Sequence, residues 1–234
     1  MNISNYKYKV ELHAHTSPVS SCSDLSAERI IELLSEHNTS AVVITNHFWP
    51  GFFENGDKDE LIKKYIKDYT DTQKAGKKAG INVILGIEIR FTENDNDYLV
   101  YGINEDDLYC AYDYLDKGID VFYKEFKTDK NIILQAHPFR EWLERANPES
   151  LDGIEVFNMH QNHNSKVSQA AAWAKENNFL ISCGTDFHHE YQAGACFALT
   201  DFLPKDSYDI AKIIKEQNFL IDISENIIIP RRRV

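Results

Sequence analysis

His13 and His15 stand two residues apart in Glu11-Leu12-His13-Ala14-His15-Thr16, a spacing that puts both rings on one face of an extended strand. Asp186 and His188 repeat that spacing with one carboxylate and one imidazole. Neutral imidazole suits zinc, iron or manganese, and a carboxylate adds a harder oxygen ligand. Glu88 lies in the apolar stretch Val83–Ile89, where a buried carboxylate has to be paired or metal-bound. His47, Asp97 and His137 complete the candidate metal ligands. Each has a plain structural alternative when taken singly: surface chemistry for the His-x-His pair, a satisfied loop histidine for His137 before Pro138, a turn residue for Asp97. Arg90 and Arg140, close to Glu88 and His137, could bind phosphate through a planar fork or simply pair with neighbouring carboxylates.

The elements that must position these groups are short apolar runs alternating with helical patterns. Strands are expected at Val10–Leu12, at 41–45, Val83–Ile89, Tyr98–Tyr101, Ile132–Ala136, Ile154–Phe157 and Phe179–Cys183, with Phe197–Leu199 and Phe219–Ile223 as edge or return strands. Ser26 should cap a helix burying Ile30, Ile31, Leu33 and Leu34. A long helix carries Leu61, Ile62, Tyr65, Ile66 and Tyr69 and stops near Gly80. Ser165 should cap one burying Val167, Ala170, Ala171 and Ala174, and Tyr208, Ile210, Ala211, Ile213 and Ile214 mark a late one. Alternation of this kind implies parallel strands joined by crossover helices. In a parallel α/β barrel every strand C-terminus opens on one face. Every candidate ligand follows, closes or borders one of these strands, so residues scattered along the chain would converge in one bowl. That shared placement favours a metal site over a string of coincidences.

The remaining residues set bounds. A chain of 234 residues with 43% hydrophobic and 26% charged residues is ordinary for a soluble globular protein, and no linker or repeat divides it, so one domain spanning 1–234 is expected. The formal net charge of -12 argues against a long nucleic-acid partner, whose phosphates need clustered Lys and Arg, but leaves room for a small anion beside metal cations. Cys22, Cys110, Cys183 and Cys196 are scattered and read as reduced thiols of a cytoplasmic protein. No signal-peptide core or membrane-spanning run is visible, and nothing specifies an oligomeric state. His37 reads as a helix-end cation, His160 and His163 as solvent-exposed loop residues at the rim of the bowl, and Arg231-Arg232-Arg233 as a solvated tail.

At this point the ordered motifs are recognisable. Leu12-His13-Ala14-His15-Thr16, Thr45-Asn46-His47, Gly86-Ile87-Glu88, Ala136-His137-Pro138, Gly153-Ile154-Glu155 and Gly184-Thr185-Asp186-Phe187-His188 resemble the PHP family, the polymerase and histidinol phosphatase superfamily. The resemblance covers nearly the whole chain. It implies a distorted seven-stranded (β/α)7 TIM-like barrel and two or three divalent ions of zinc, manganese or iron. Carried over by position, His13, His15, Glu88 and Asp186 hold one ion, and Glu88 bridges to a second shared with His137. Asp97 stands where many members have a histidine. His47 and His188 hold a third. The family often adds a ligand in the loop after His-x-His, where Ser20-Ser21-Cys22-Ser23-Asp24 offers no histidine, and Asn46 replaces the family's usual aspartate.

The implied activity is hydrolysis of a small phosphate ester by attack of a metal-bound hydroxide, with His47 or His188 stabilising the leaving group and Arg90 and Arg140 holding the phosphoryl oxygens. Three alternatives come with it: a nuclease-like member acting on nucleotides or short oligonucleotides, a metal-binding module without catalysis, and an amidohydrolase-type barrel. The last would want a bridging lysine, which these strand ends lack.

Overall fold

The computed structural model describes residues 2–230, so the Arg231–Arg233 tail lies outside the described residues. The chain runs β1 (Tyr8–Ala14), α1 (Ala27–Glu36), β2 (Ala41–Ile44), β3 (His47–Phe48), α2 (Pro50–Phe53), α3 (Lys58–Ala79), β4 (Asn82–Leu85), β5 (Ile87–Arg90) and β6 (Asp97–Tyr101). It continues through α4 (Glu105–Tyr112), α5 (Gly118–Phe126), β7 (Ile132–Gln135), β8 (Gly153–Asn158), α6 (Val167–Glu176), β9 (Leu180–Gly184), β10 (Cys196–Thr200), α7 (Ser207–Glu216), β11 (Leu220–Ile223) and β12 (Asn226–Ile228). Among the described residues, no helix is long and apolar enough to cross a membrane.

The fold is mixed α/β, built on two six-stranded sheets ordered β12-β11-β10-β1-β2-β4 and β3-β5-β6-β7-β8-β9. This differs from the expected seven-stranded parallel barrel: the pairings are mixed, and no closed sheet occurs among the described residues. The physical reason lies in the connections. A parallel step needs a crossover of a dozen or more residues. Only residues 91–96 separate β5 from β6, and their Asn94-Asp95-Asn96 turn sends β6 back antiparallel, pairing Arg90 with Asp97. β6 and β7 also pair antiparallel, as do β1 and β10. Backbone bonds nevertheless link the sheets where the candidate ligands sit. Gly86 N donates to Ile44 O and Glu88 N to Asn46 O, while His15 N and Phe187 O, and Phe187 N and His13 O, pair at 3.0 Å.

Strands covered on both faces explain the unbroken apolar runs. Val42 and Ile44 face one core cluster with α1, α3, α4, α5 and α6, and Ala41 and Val43 face another with α7. Each large side chain fully removed from water contributes about 1.5–3 kcal/mol. Ser26 caps α1 by accepting from Arg29 N, and Gly80, at φ 76, closes α3 in the left-handed region glycine tolerates. Two helix details depart from expectation. Lys166, not Ser165, occupies the N-cap of α6, because the Ser165 hydroxyl turns inward to Asn158; Ala171 is exposed and Trp173 takes the buried position. Tyr208 on α7 is exposed, while Ile210, Ala211, Ile213 and Ile214 are buried as expected.

Candidate metal centre

Six of the eight candidate ligands, His47, Glu88, Asp97, His137, Asp186 and His188, line one cavity, and His13 and His15 lie behind them against Glu88 and Asp186. His13 Nε2 lies 3.3 Å from Glu88 Oε1 and 3.5 Å from Asp186 Oδ1, and His15 Nε2 lies 3.4 Å from Glu88 Oε2 and from Asp186 Oδ1. His137 Nε2 reaches Glu88 Oε1 at 3.0 Å, and His47 Nδ1 reaches Glu88 Oε2 at 2.8 Å. Glu88 is therefore in contact with four imidazoles. Asp97 sits 4.0 Å from His137 Nε2; it borders the site from the N-terminal end of β6 because that strand runs antiparallel. Donor atoms of His15, His47 and His188, and of His47, Glu88 and Asp97, each group within 4.8 Å.

A shell of hydrogen bonds fixes which nitrogen each ring presents. Glu155 Oε1 accepts from His13 Nδ1 at 2.9 Å, turning Nε2 toward the centre. Ser20 Oγ donates to Asn46 Oδ1, so it accepts from His15 Nδ1, and His15 Nε2 is likewise turned inward. His188 Nδ1 donates to the Asp186 carbonyl at 2.9 Å. Such partners orient metal-ligating histidines and raise their basicity. Among the buried atoms without a hydrogen-bond partner are three that face one another at the centre, His13 Nε2, His15 Nε2 and Glu88 Oε2. Buried polar atoms are normally satisfied. Orphaned nitrogens and oxygen converging beside carboxylates are the donor set a divalent ion takes, so the residues fit such a group.

The backbone is strained at the same place. His137 and Asp186 adopt φ 31 and 59, a region costly for residues other than glycine and concentrated at functional sites. Gly184 permits the packing: a Cβ there would meet His13 Cβ at 2.5 Å.

The electrostatics are those of a buried array of opposed charges. Burial would lower His13, but Glu155, Asp186 and Glu88 hold it well above its ordinary value. Burial and the neighbouring His188 and His47 push His15 well below. Burial would raise Glu88 and Asp186, yet the surrounding imidazoles, with Arg140 for Asp186, keep both well below the carboxylate range. His188 resists its own desolvation through Asp186 and rises to about 9.

Both arginines are ion-paired to candidate ligands. Arg90 grips Asp97 with two 2.7 Å bonds, and Arg140 donates to the Asp186 carboxylate and to Asn158 Oδ1 at 3.0 Å. Arg140 Nε is buried without a partner. His160 corrects the expectation of exposure. Its amide donates to Asn158 Oδ1, which turns the chain inward, and the residue is buried with its ring 5.7 Å from that of His188. His163 is half-buried against Trp142, and His37 caps α1 away from the cavity.

Three contributors escaped the sequence reading, and the role of a fourth, Glu155, did too. Glu11 is buried and accepts from the amides of His13 and Thr185, tying β1 to the end of β9; burial raises it to about 7. Glu155 was legible as a strand-end acid but not as the partner of His13. Asp68 of α3 accepts from Thr16 Oγ1 and from Asn46 Nδ2 at 2.8 Å, so a carboxylate stands behind the asparagine. Cys22 borders the cavity beside His47 and His188; its partial desolvation would raise the thiol, but the neighbouring His188 and His47 rings hold it at about 6. Its place in the loop after His15 was the available signal.

Over 130 residues, 55% of this chain, the sequence is 30% identical to the DNA polymerase III PolC-type of Clostridium perfringens, of whose length it spans only 8%. A Bacteroides vulgatus two-domain protein containing a predicted PHP-like metal-dependent phosphoesterase superposes with TM-score 0.63 at 16% identity, covering 94% of this chain and 66% of the other. PsfC from Pseudomonas syringae superposes with TM-score 0.63 at 14% identity, covering 87% and 88%. At such identities the likeness is one of fold. The sequence match to the PHP domain runs from Glu11 in β1 to Asn226 in β12, and the chain therefore belongs to the PHP domain family.

Proposed function

We propose that the chain is a metal-dependent phosphoesterase acting on a small phosphate ester. The observation that carries this is the set of three buried atoms without hydrogen-bond partners, His13 Nε2, His15 Nε2 and Glu88 Oε2, gathered beside Asp186 and His137. His13, His15, Glu88 and Asp186 would hold one divalent ion, Glu88 with His137 and Asp97 a second, and His47 with His188 a third. Zinc, manganese and iron all suit these donors. Bound there, the ions supply Lewis acidity, polarising phosphoryl oxygens and lowering the pKa of water.

The chain's own residues would do the rest. Glu155 and Ser20 keep His13 and His15 aimed inward. With Asp186 and Asp97 engaged as ligands, the guanidiniums of Arg140 and Arg90 would be free for phosphoryl oxygens, which they match as planar forks. His188 would serve the departing alkoxide either as a ligand of the third ion or, in that ion's place, as the proton carrier, since the Asp186 carboxylate raises it to about 9. The cavity they share encloses about 330 Å³, enough for a small ester rather than a polymer.

A second reading, action on nucleotides or short oligonucleotides, is favoured by exposed Trp142 and Tyr191 near the mouth, since aromatic rings stack bases. The test is metal analysis of the purified protein together with turnover of a phosphomonoester and phosphodiester panel. Two or more equivalents of metal with monoester turnover is the expected result. Mononucleotide release from short oligomers would favour the second reading, and full metal without hydrolysis of any ester would overturn both.

A further inference from the structure

Resting on the metal-centre reading, we propose that Cys22 supplies a thiolate ligand to the outermost ion, completing with His47 and His188 a site of two nitrogens and one sulfur.

The loop that carries Cys22 is stapled on both sides to the residues bearing those rings. Before it, Ser20 Oγ accepts from the His47 amide at 3.0 Å and meets His15 Nδ1 at 3.1 Å. After it, Ser23 Oγ lies 3.0 Å from His15 O and 3.1 Å from His188 O, and Asp24 N donates to His188 O. The chain around the thiol is thus fixed to its neighbours, and the thiol itself lines the same cavity wall as His47 and His188.

An independent observation points to a ligand there. His15 is fully buried, its Nε2 has no hydrogen-bond partner, and its ring packs 4.5 Å from that of His47 and 4.1 Å from that of His188. The donor atoms of these three histidines lie within 4.8 Å of one another, a clustering of imidazole nitrogens that suits a cation. With His15 Nε2 also facing Glu88 and Asp186, His47 and His188 alone would leave the outer ion two protein ligands. Three protein donors are the usual set of a zinc site that keeps a position for water or substrate. Sulfur also changes which ion is taken, because thiolate favours zinc over the harder manganese, whereas Glu88 and Asp97 favour the reverse. The inner and outer positions would then differ in metal preference.

Cobalt(II) is the probe, since a thiolate ligand gives it a sulfur-to-metal charge-transfer absorption in the near ultraviolet. Chelator-stripped protein is titrated anaerobically in a Cys110→Ser background, which removes the other exposed thiol. The expected result is a charge-transfer band that is lost in Cys22→Ser together with part of the bound cobalt. Cys22→His should keep the cobalt and lose the band. Cobalt bound with no band, or a band that persists in Cys22→Ser, overturns the thiolate ligand while leaving the metal centre standing. A protein that takes up no cobalt, zinc or manganese overturns both.

Discussion

The inner and outer halves of the cavity are built on different terms. His13, His15, Glu88 and Asp186 are sealed from solvent, and His13 is held by the charged carboxylate of Glu155 with Glu11 bracing the backbone beneath. On the outer side, His47 is half-buried and Cys22 is exposed; apart from the Glu88 and Asp186 carboxylates it shares with the inner half, its supports are neutral: the Ser20 hydroxyl, the Asp186 carbonyl and the Gln192 side chain, which accepts from the amides of His188 and His189. Charge-assisted bonds in a dry interior are stronger and tolerate less adjustment than neutral ones near water. The inner half is therefore expected to fix its ion tightly, and the outer half to exchange its ion and adapt to substrate.

The largest disturbance is expected at Glu88, the residue both halves share. Glu88→Gln keeps the shape but removes the charge facing His13, His15, His137 and His47. Metal content should fall by more than one equivalent and turnover should disappear. Unchanged metal by elemental analysis would remove Glu88 as the bridge and break the comparison at its joint.

Next comes Glu155, which belongs to the inner half alone. Glu155→Gln can still accept from His13 Nδ1 but no longer supplies a charge, and loss of such support typically costs 10–100-fold in metal affinity, roughly. The drop should be confined to the inner ion, with the outer one retained. Equal weakening of both ions in a competition titration would show that the halves are not independently supported.

These contrasts mark what sequence could reveal. His13, His15, Glu88, His137, Asp186 and His188 were legible because each borders or ends an apolar run, and strand ends are where a sheet delivers side chains to one edge. The sheet order was not. The reversal of β6 and the antiparallel docking of β10 on β1 depend on which edge each strand finds, although the Asn94–Asp97 turn held the clue for the first. Asp68 and Cys22 were missed for a different reason: a polar residue on a helix or in a loop has no periodicity to announce that it points inward. Asn46, read as a lost charge, is in fact backed by Asp68.

That pairing gives a third test, directed at the outer support. Asn46→Asp would set a second carboxylate 2.8 Å from the Asp68 oxygen, where Asn46 Nδ2 now donates, and burial already raises Asp68. The metal-free protein should lose about 1–3 kcal/mol in urea unfolding, the range for leaving a buried polar group without its partner. Adding Asp68→Asn should restore much of it, because the exchange returns one donor and one acid to the pair. Full stability in the single variant would mean that the Asn46–Asp68 contact does not support His47.

The smallest expected effect lies at the mouth, where the two halves meet substrate. Arg140 donates to Asp186 of the inner half and to Asn158, yet its Nε is buried and unpartnered, so one edge of the fork is still open to an acceptor. The left-handed turn at His137 and the following Pro138 restrict where the side chain can start, and Arg140 N closes that turn on the His137 carbonyl. Lysine keeps the charge but presents a point where a phosphoryl group meets a plane. Arg140→Lys should therefore leave metal content unchanged and lower kcat/KM by roughly tenfold, about 1.4 kcal/mol of transition-state binding. Arg140→Ala should lower it further, again with full metal. The competing account is that Arg140 serves only to neutralise Asp186. In that case a bound ion makes the arginine redundant, and both variants, compared at matched metal content, would hydrolyse ester at the parent rate. Metal loss in Arg140→Lys would instead assign the arginine to the inner half, as a support for Asp186 rather than a grip on substrate.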